Sequence, residues 1–365
     1  TAYPGTDMGS TQRRAAVASD PVDETQRATA VMRPLSSRQL KAITWAWVDD
    51  GEGRIPAGAL TMAAGREGTG KSSFGIWLCG HVTRGTLPGA WFGTPRNVIY
   101  VALEDDYDDT IGPRMVAAGA DRSRVFEFAI RRPDRLDEDI PVLPVDIPLL
   151  EQAVRDYDVA LVVLDPLISL ISGKIDTHRE AETRRALEPL RRMAARTGAV
   201  VLGIGHFSKA QHADVSALIT GSGAFKNVPR AIFGFAVDKS TGERVITQTK
   251  NSGGRDDLQS LAYRIEPVTV ETATGPTSTG RLVMLGPSER SVGDILTGGD
   301  PHEAEERRDA AAWLHAYLLD NGGSAPARQV IAAAKKDGFS DDALQRVKRR
   351  VGVIGRKDGM DGGWV

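Results

Sequence analysis

From residue 42 to about residue 287 the chain alternates short apolar runs with longer amphipathic stretches. The runs fall at 60–64, 97–103, 125–130, 159–165, 199–205, 231–237 and 245–249. Several are apolar at nearly every position, the pattern of strands buried on both faces of a parallel sheet. Between them, residues 177–196 repeat with helical period. Leu187, Leu190, Met193 and Ala194 fall on one face and Arg185, Arg191 and Arg192 largely elsewhere, with Pro189 as the place for a kink. Strand and helix alternating in this way predict an α/β fold whose mainly parallel sheet is covered by helices.

The flanks read differently. Residues 1–41 are rich in Ser, Thr, Ala, Pro and charge without a sustained apolar period, and are expected to form a flexible tail. The core is expected over 42–287, and a Gly-, Ser- and Asp-bearing linker over 288–303. A small domain then spans 304–365, with helices predicted over 303–320, 325–336 and 340–351 and a two-stranded piece over 352–365 that turns at Asp358-Gly359. Three helices and a hairpin are the order of a winged helix-turn-helix. From Arg307 onward there are eleven Lys/Arg against seven Asp/Glu, and the third helix carries Arg346, Lys348, Arg349 and Arg350. The acids Asp337, Asp341 and Asp342 dilute that charge, so a surface for protein contacts is the alternative to one for DNA.

Composition narrows the classes. The 365 residues are 41% apolar and 26% charged with a net charge of −2, ordinary for a folded soluble chain. The single cysteine, Cys79, excludes an intramolecular disulfide and a cysteine-held metal cluster. No run approaches a membrane span, and no secretory leader pattern opens the sequence. A cytoplasmic protein with no membrane partner is the expectation.

The sharpest motif is Gly65-Arg66-Glu67-Gly68-Thr69-Gly70-Lys71-Ser72, followed by Ser73. It joins the apolar run 60–64 to a helical stretch over 72–82. A triphosphate needs several N–H donors converging from one side, and a glycine-rich turn into a helix N-terminus supplies them. In the Gly-x4-Gly-Lys-Ser spacing, Lys71 reaches the β- and γ-phosphates and Ser72 ligates Mg²⁺. Three further strand ends carry candidate chemistry. The run 159–165 ends in Asp165, a carboxylate for Mg²⁺; alternatively it only starts a turn. The run 97–103 leads into Glu104, a candidate to orient the attacking water, unless Asp105 or Asp106 caps a helix and Glu104 is merely solvated. His206 follows the run 199–205, either as a γ-phosphate sensor or as a structural histidine.

Taken in order, these motifs resemble the RecA-like P-loop ATPases, and specifically the RepA-like hexameric replicative helicases related to DnaB. The resemblance spans 44–365. It also rests on Trp45-Ala46-Trp47, Arg54-Ile55-Pro56-Ala57-Gly58, Tyr100-Val101-Ala102-Leu103-Glu104-Asp105 and Leu164-Asp165-Pro166-Leu167. Gly205-His206-Phe207-Ser208-Lys209, Gly221-Ser222-Gly223-Ala224-Phe225, Arg230 and Thr249-Lys250-Asn251 complete it. Pro166 stands where some relatives place a second acid.

The resemblance implies an ATP- and Mg²⁺-dependent DNA helicase or translocase of DNA replication. Asp165 would be its Walker B acid, Glu104 its catalytic glutamate and His206 its switch. Arg230 and Lys250 would be positive fingers that complete a neighbour's site, with ordinary surface pairing as the alternative. It further implies a hexameric ring with single-stranded DNA in its channel, met by loops bearing Lys174, His178, Arg179, Lys209 and His212. The winged helix would bind duplex or a protein partner. The competing reading from the residues is a nucleotide-gated DNA-binding, regulatory or recombination ATPase that unwinds nothing.

Overall fold

The computed structural model describes residues 31–133, 137–208, 218–297 and 301–340, with 344, 347, 348, 351, 353 and 354 beyond them. Of residues 301–308 it describes the backbone alone. The chain divides into two units, Thr1–Ala42 and Ile43–Val365. In the first, the described residues form one short 3-10 turn, Leu35–Ser37.

The second unit opens with the hairpin β1 (Trp45–Asp49) and β2 (Glu52–Pro56), then β3 (Leu60–Gly65), α1 (Lys71–Arg84), β4 (Asn97–Ala102) and α2 (Gly112–Ala117). Short strands β5 (Val125–Glu127), β6 (Ile130–Arg131) and β7 (Glu138–Asp139) precede α3 (Ile147–Asp156), β8 (Val159–Asp165), α4 (Glu180–Thr197) and β9 (Val200–His206). There follow α5 (Ala224–Asn227), β10 (Ala231–Val237), β11 (Arg244–Asn251), β12 (Leu261–Thr272), β13 (Gly275–Pro287) and α6 (Val292–Leu296). Helices α7 (Pro301–Asp320) and α8 (Ala327–Lys336) close the regular elements.

Nine strands make one sheet in the order β13-β12-β11-β10-β3-β9-β8-β4-β5. From β10 to β5 every neighbouring pair is parallel, while β11, β12 and β13 add antiparallel. This is the mostly parallel α/β sheet expected of a RecA-like P-loop NTPase core. The continuous apolar runs are explained by burial on both faces: all of Leu60–Gly65 is buried, as are the first six residues of both β8 and β9.

One face packs on α3 and α4 through Leu150, Val154, Leu187, Leu190 and Met193. The other packs on α1 through an aromatic group in which Phe74 meets Trp47, Phe233 and Phe235 at centroid separations of 5.8, 5.6 and 5.4 Å. Helix α4 runs unbroken through Pro189, because the helix is held by its buried apolar stripe.

The sequence pattern differs from the fold in three places. The run 125–130 is two strands in different sheets. The long β12–β13 ribbon has no continuous apolar run, since it keeps a solvated face and mixes buried with exposed positions, and the β1–β2 hairpin with its short run 45–48 falls outside the expected strands. Within the expected linker, α6 starts in a capping box of Ser291 and Asp294, and Val292 is fully buried. Arg290 ties this stretch to the core through Asp238 at 2.5 Å and Glu243 at 3.3 Å.

Helices α7 and α8 share a small core of their own with Leu344 and Val347. Of the third helix of the expected winged unit, 340–351, only 340, 344, 347, 348 and 351 are described, so Arg346, Arg349 and Arg350 lie outside the described residues. So does nearly all of the hairpin expected over 352–365. No described helix is long and apolar enough to cross a membrane.

Leu187 is fully buried between α4 and the sheet, whereas Leu149 of α3 is 53% exposed. Leu187→Ala is expected to destabilise the chain by about 2–5 kcal/mol in urea unfolding, and Leu149→Ala by no more than about 0.5 kcal/mol.

Candidate nucleotide-binding site

Strand β3 delivers Gly65 to the edge of the sheet, and residues 66–70 turn the chain into α1. Gly65 admits no side chain: a Cβ there would lie 2.7 Å from both the Phe235 carbonyl oxygen and Thr69 Oγ1. Gly68 and Gly70 hold left-handed φ values of +70° and +84°, which a Cβ disfavours. Inside the loop the Arg66 carbonyl accepts from Thr69 Oγ1 at 2.7 Å and from Lys71 Nζ at 2.8 Å. Helix α1 starts at Lys71 with Gly70 as N-cap and no side-chain cap, which leaves its N-terminal amides and dipole open to an anion.

The strand order decides what surrounds this loop. Strand β9 lies beside β3, with β8 and then β4 beyond it, so the ends of these strands form one edge. Gly65 is register partner of His206, and Ala102 of Asp165. The Leu103 amide donates to the Asp165 carbonyl at 3.1 Å, which puts Glu104 one residue further along the same edge. Glu104 is exposed. Its neighbours are otherwise engaged: Asp105 pairs with Arg114 at 2.7 Å, and Asp106 caps the next turn by accepting from the Asp108 amide. The helix-capping role thus falls to Asp106 and leaves Glu104 free of it.

Asp165 is held in place by hydroxyls. Tyr100 of β4, fully buried, donates to Asp165 Oδ2 at 2.7 Å, and the Ser72 hydroxyl also donates to this carboxylate. Tyr107 backs the arrangement, donating to the Tyr100 carbonyl at 2.6 Å while accepting from the Ala102 amide at 3.1 Å. Burial pushes the Asp165 carboxyl up, against the opposing effect of the Tyr100 and Ser72 hydrogen bonds and the Lys71 charge. Burial likewise pushes the Lys71 ammonium down, opposed by Asp165, Glu67 and Glu104 in that order. The charges of three carboxylates thus act on one lysine.

His206 ends β9 at the same edge. Its carbonyl accepts from the Thr220 amide at 2.8 Å, and the next amide, Phe207 N–H, donates to the Gly65 carbonyl at 3.1 Å. Arg230 and Lys250 lie elsewhere. The Arg230 amide donates to the Leu60 carbonyl and Lys250 is register partner of Ile232, so both sit where β3 begins, not where it ends. That is roughly 17 Å along the strand from the loop of the same chain. Lys250 Nζ donates to the carbonyls of Lys226 and Asn227, both at 2.9 Å. Its ammonium is pushed down by burial first and then by Arg230, Lys226 and Arg184, which mark a cationic cluster.

Of the candidate loop residues, Lys174 and His178 are exposed, and Arg179 lies 3.6 Å from both Asp176 and Glu182. Lys209 and His212 lie outside the described residues.

A family model described as an AAA domain matches residues 25–212. The chain belongs to the AAA-domain family. None of the curated proteins matches it. The AAA match takes in the loop 65–73, Glu104, Asp165 and His206, and makes the chain a nucleotide-binding ATPase. Arg230 and Lys250 lie beyond the matched span.

The AAA site fits a phosphate chain on the glycine geometry and the uncapped helix start. Ser72 and Asp165 are the oxygens that could hold a cation beside it. Among the described residues no group of three or more His, Cys, Asp or Glu could hold a metal, so a cation here would draw its remaining ligands from phosphate and water, as Mg²⁺ does.

Two groups of residues were not legible as part of this site. Tyr100 carries a faint signal, because a tyrosine inside a doubly buried strand needs a partner for its hydroxyl. Arg244 and Tyr263, which donate to the carbonyls of Gly68 and Thr69, stand 176 and 194 positions from them, and nothing local marks either.

An acid whose folded-state carboxyl is raised adds no cost below the unfolded-state value; the cost grows as pH rises and is fully present above the folded-state value. Asp165→Asn is therefore expected to raise the melting temperature of the ligand-free chain by a few degrees at neutral pH, roughly 2–4 °C per kcal/mol recovered, and not near pH 3. Thermal melts at the two pH values check it.

Proposed function

We propose that the chain is an ATP-dependent DNA helicase or translocase of the RepA-like type, acting in DNA replication and hydrolysing ATP at the subunit interfaces of a homo-oligomeric ring, a hexamer. The observation that carries this reading is the split of the charged residues between the two ends of one sheet. Loop, Asp165, Glu104 and His206 gather at one end, and the cluster of Arg230, Lys250, Lys226 and Arg184 lies at the other. Charge that builds on a transferred phosphoryl group calls for a mobile cation, and Arg230 can supply one only to another chain's site.

In this account the amides of residues 68–73 and the Lys71 ammonium hold the β- and γ-phosphates. Ser72 and Asp165 would hold Mg²⁺, which would neutralise phosphate charge. Glu104, exposed at the strand end, orients the attacking water. His206 stands on the strand between the phosphate loop and Asp165. Its carbonyl bond to Thr220 and the Phe207–Gly65 bond link the γ-phosphate position to the loop after β9, which would face DNA. Lys174, His178, Arg179, Lys209 and His212 would track the phosphates of a single strand. The C-terminal unit would supply duplex or protein contacts as a winged helix.

A second reading, a regulatory or recombination ATPase that assembles on DNA without unwinding it, draws support from Lys250. Two carbonyls of its own chain already engage its ammonium, where a finger of a motor interface would be held for a neighbour's site.

The test is the steady-state ATPase rate with no DNA, with single strands and with duplex. Stimulation of about tenfold or more by single strands, lost in Glu104→Gln, is expected of a motor; hydrolysis indifferent to every nucleic acid would contradict it. A strand-displacement assay separates the two readings. For the finger, chains carrying Glu104→Gln and chains carrying Arg230→Ala are each expected to be inactive alone and to recover partial hydrolysis when mixed. No recovery in mixed assemblies argues against a shared site.

A further inference from the structure

We propose that Arg244 and Tyr263 are positioning residues for the phosphate-binding loop, holding two consecutive peptide planes so that their amides face the phosphates; this rests on the phosphate-binding reading of residues 65–73. The two residues lie directly opposite each other on β11 and β12. Arg244 Nη1 donates to the Gly68 carbonyl at 2.9 Å, and the Tyr263 hydroxyl donates to the Thr69 carbonyl. Arg244 also hydrogen-bonds the Tyr263 hydroxyl, which burial nonetheless raises to about 12, so the phenol stays protonated and able to donate.

A trans peptide is planar, and its C=O and N–H point in opposite directions. Drawing the Gly68 carbonyl toward Arg244 turns the Thr69 N–H away from Arg244, and drawing the Thr69 carbonyl toward Tyr263 does the same for the Gly70 N–H. Without these two donors, either peptide could flip about the permissive dihedrals of Gly68 and Gly70 and present a carbonyl oxygen to a polyphosphate. A preset donor array costs no reorganisation when the anion arrives, whereas a flipping one loses affinity in proportion to the time spent misoriented.

The support behind the clamp is rigid. Tyr263 is 2% exposed, with its ring edge-on to Phe235 at 6.0 Å. That ring also stands against the loop: a Cβ on Gly70 would lie 3.1 Å from Tyr263 Cε2. The β12–β13 ribbon buries Leu282 in the same core as Phe74 of α1 and packs the half-buried Ile265 and Met284 against it. The ribbon thus acts as a backing plate to the loop from the side opposite the ligand.

The test titrates the full chain with a fluorescent ATP analogue in Mg²⁺, and in parallel with inorganic tripolyphosphate in competition, comparing wild type with Tyr263→Phe, Arg244→Ala and Arg244→Lys. Tyr263→Phe keeps the ring and its packing and removes one donor. About three- to tenfold weaker binding of both ligands is expected for it, a larger loss for Arg244→Ala, and partial recovery in Arg244→Lys. In turnover the loss should fall mainly on KM, with kcat changed less, which a general loosening of the fold would not give. Unchanged affinity in Tyr263→Phe and Arg244→Ala overturns the proposal. So does a loss seen with the nucleotide but not with tripolyphosphate, which would assign the tyrosine to the base. Failure of the wild type to bind either ligand would refute the phosphate site itself, and the clamp with it.

Discussion

The structure turns on the direction in which a few backbone amides point between Gly65 and Ser73. A polyphosphate is bound by N–H groups that a short turn brings to one side, and the turn can exist only where a Cβ is absent at Gly65 and where Gly68 and Gly70 take left-handed φ. Everything nearby serves to fix that turn. Strand β3 anchors its start in the middle of the sheet, α1 continues its end, and Phe74 locks α1 into an aromatic core shared with Phe233 and Phe235. Arg244 and Tyr263 hold its outward carbonyls.

Electrostatics set burial against charge in the same region of the ligand-free molecule. Burial disfavours charge on both Asp165 and Lys71, and their mutual attraction offsets only part of that cost. The Lys71 ammonium rests on the Arg66 carbonyl, a neutral acceptor, where a phosphate would be a far stronger partner. Tension of this kind, present without ligand and relieved by it, is how a site gains affinity at the expense of resting stability.

Much of this was legible in the chain because the relevant signals are local. The apolar runs marked β3, β4, β8, β9 and β10, since strands buried on both faces cannot alternate, and a polar residue marked the end of each of β8 and β9. The Gly-x4-Gly-Lys-Ser spacing marked the turn into α1 because both the turn and the helix start are written in adjacent residues. What escaped was non-local or two-sided. The β12–β13 ribbon alternates inside and outside, so it leaves no continuous run, and Arg244 and Tyr263 meet the loop only through the fold. Helix α6 hid in a Gly-, Ser- and Asp-bearing stretch because its Ser291–Asp294 capping box uses the same residue types as a loop.

Backbone amides of residues 68–73 that hold a phosphate chain must exchange more slowly when it is bound. Hydrogen–deuterium exchange of the full chain, with and without ATP·Mg²⁺, reads this out. Strong slowing of exchange is expected in a peptide covering residues 66–74, with a smaller effect at 103–108 and 204–208 and little change in α7 and α8. Saturating nucleotide that leaves exchange at 66–74 unchanged, or that slows it only in the C-terminal helices, would contradict the account.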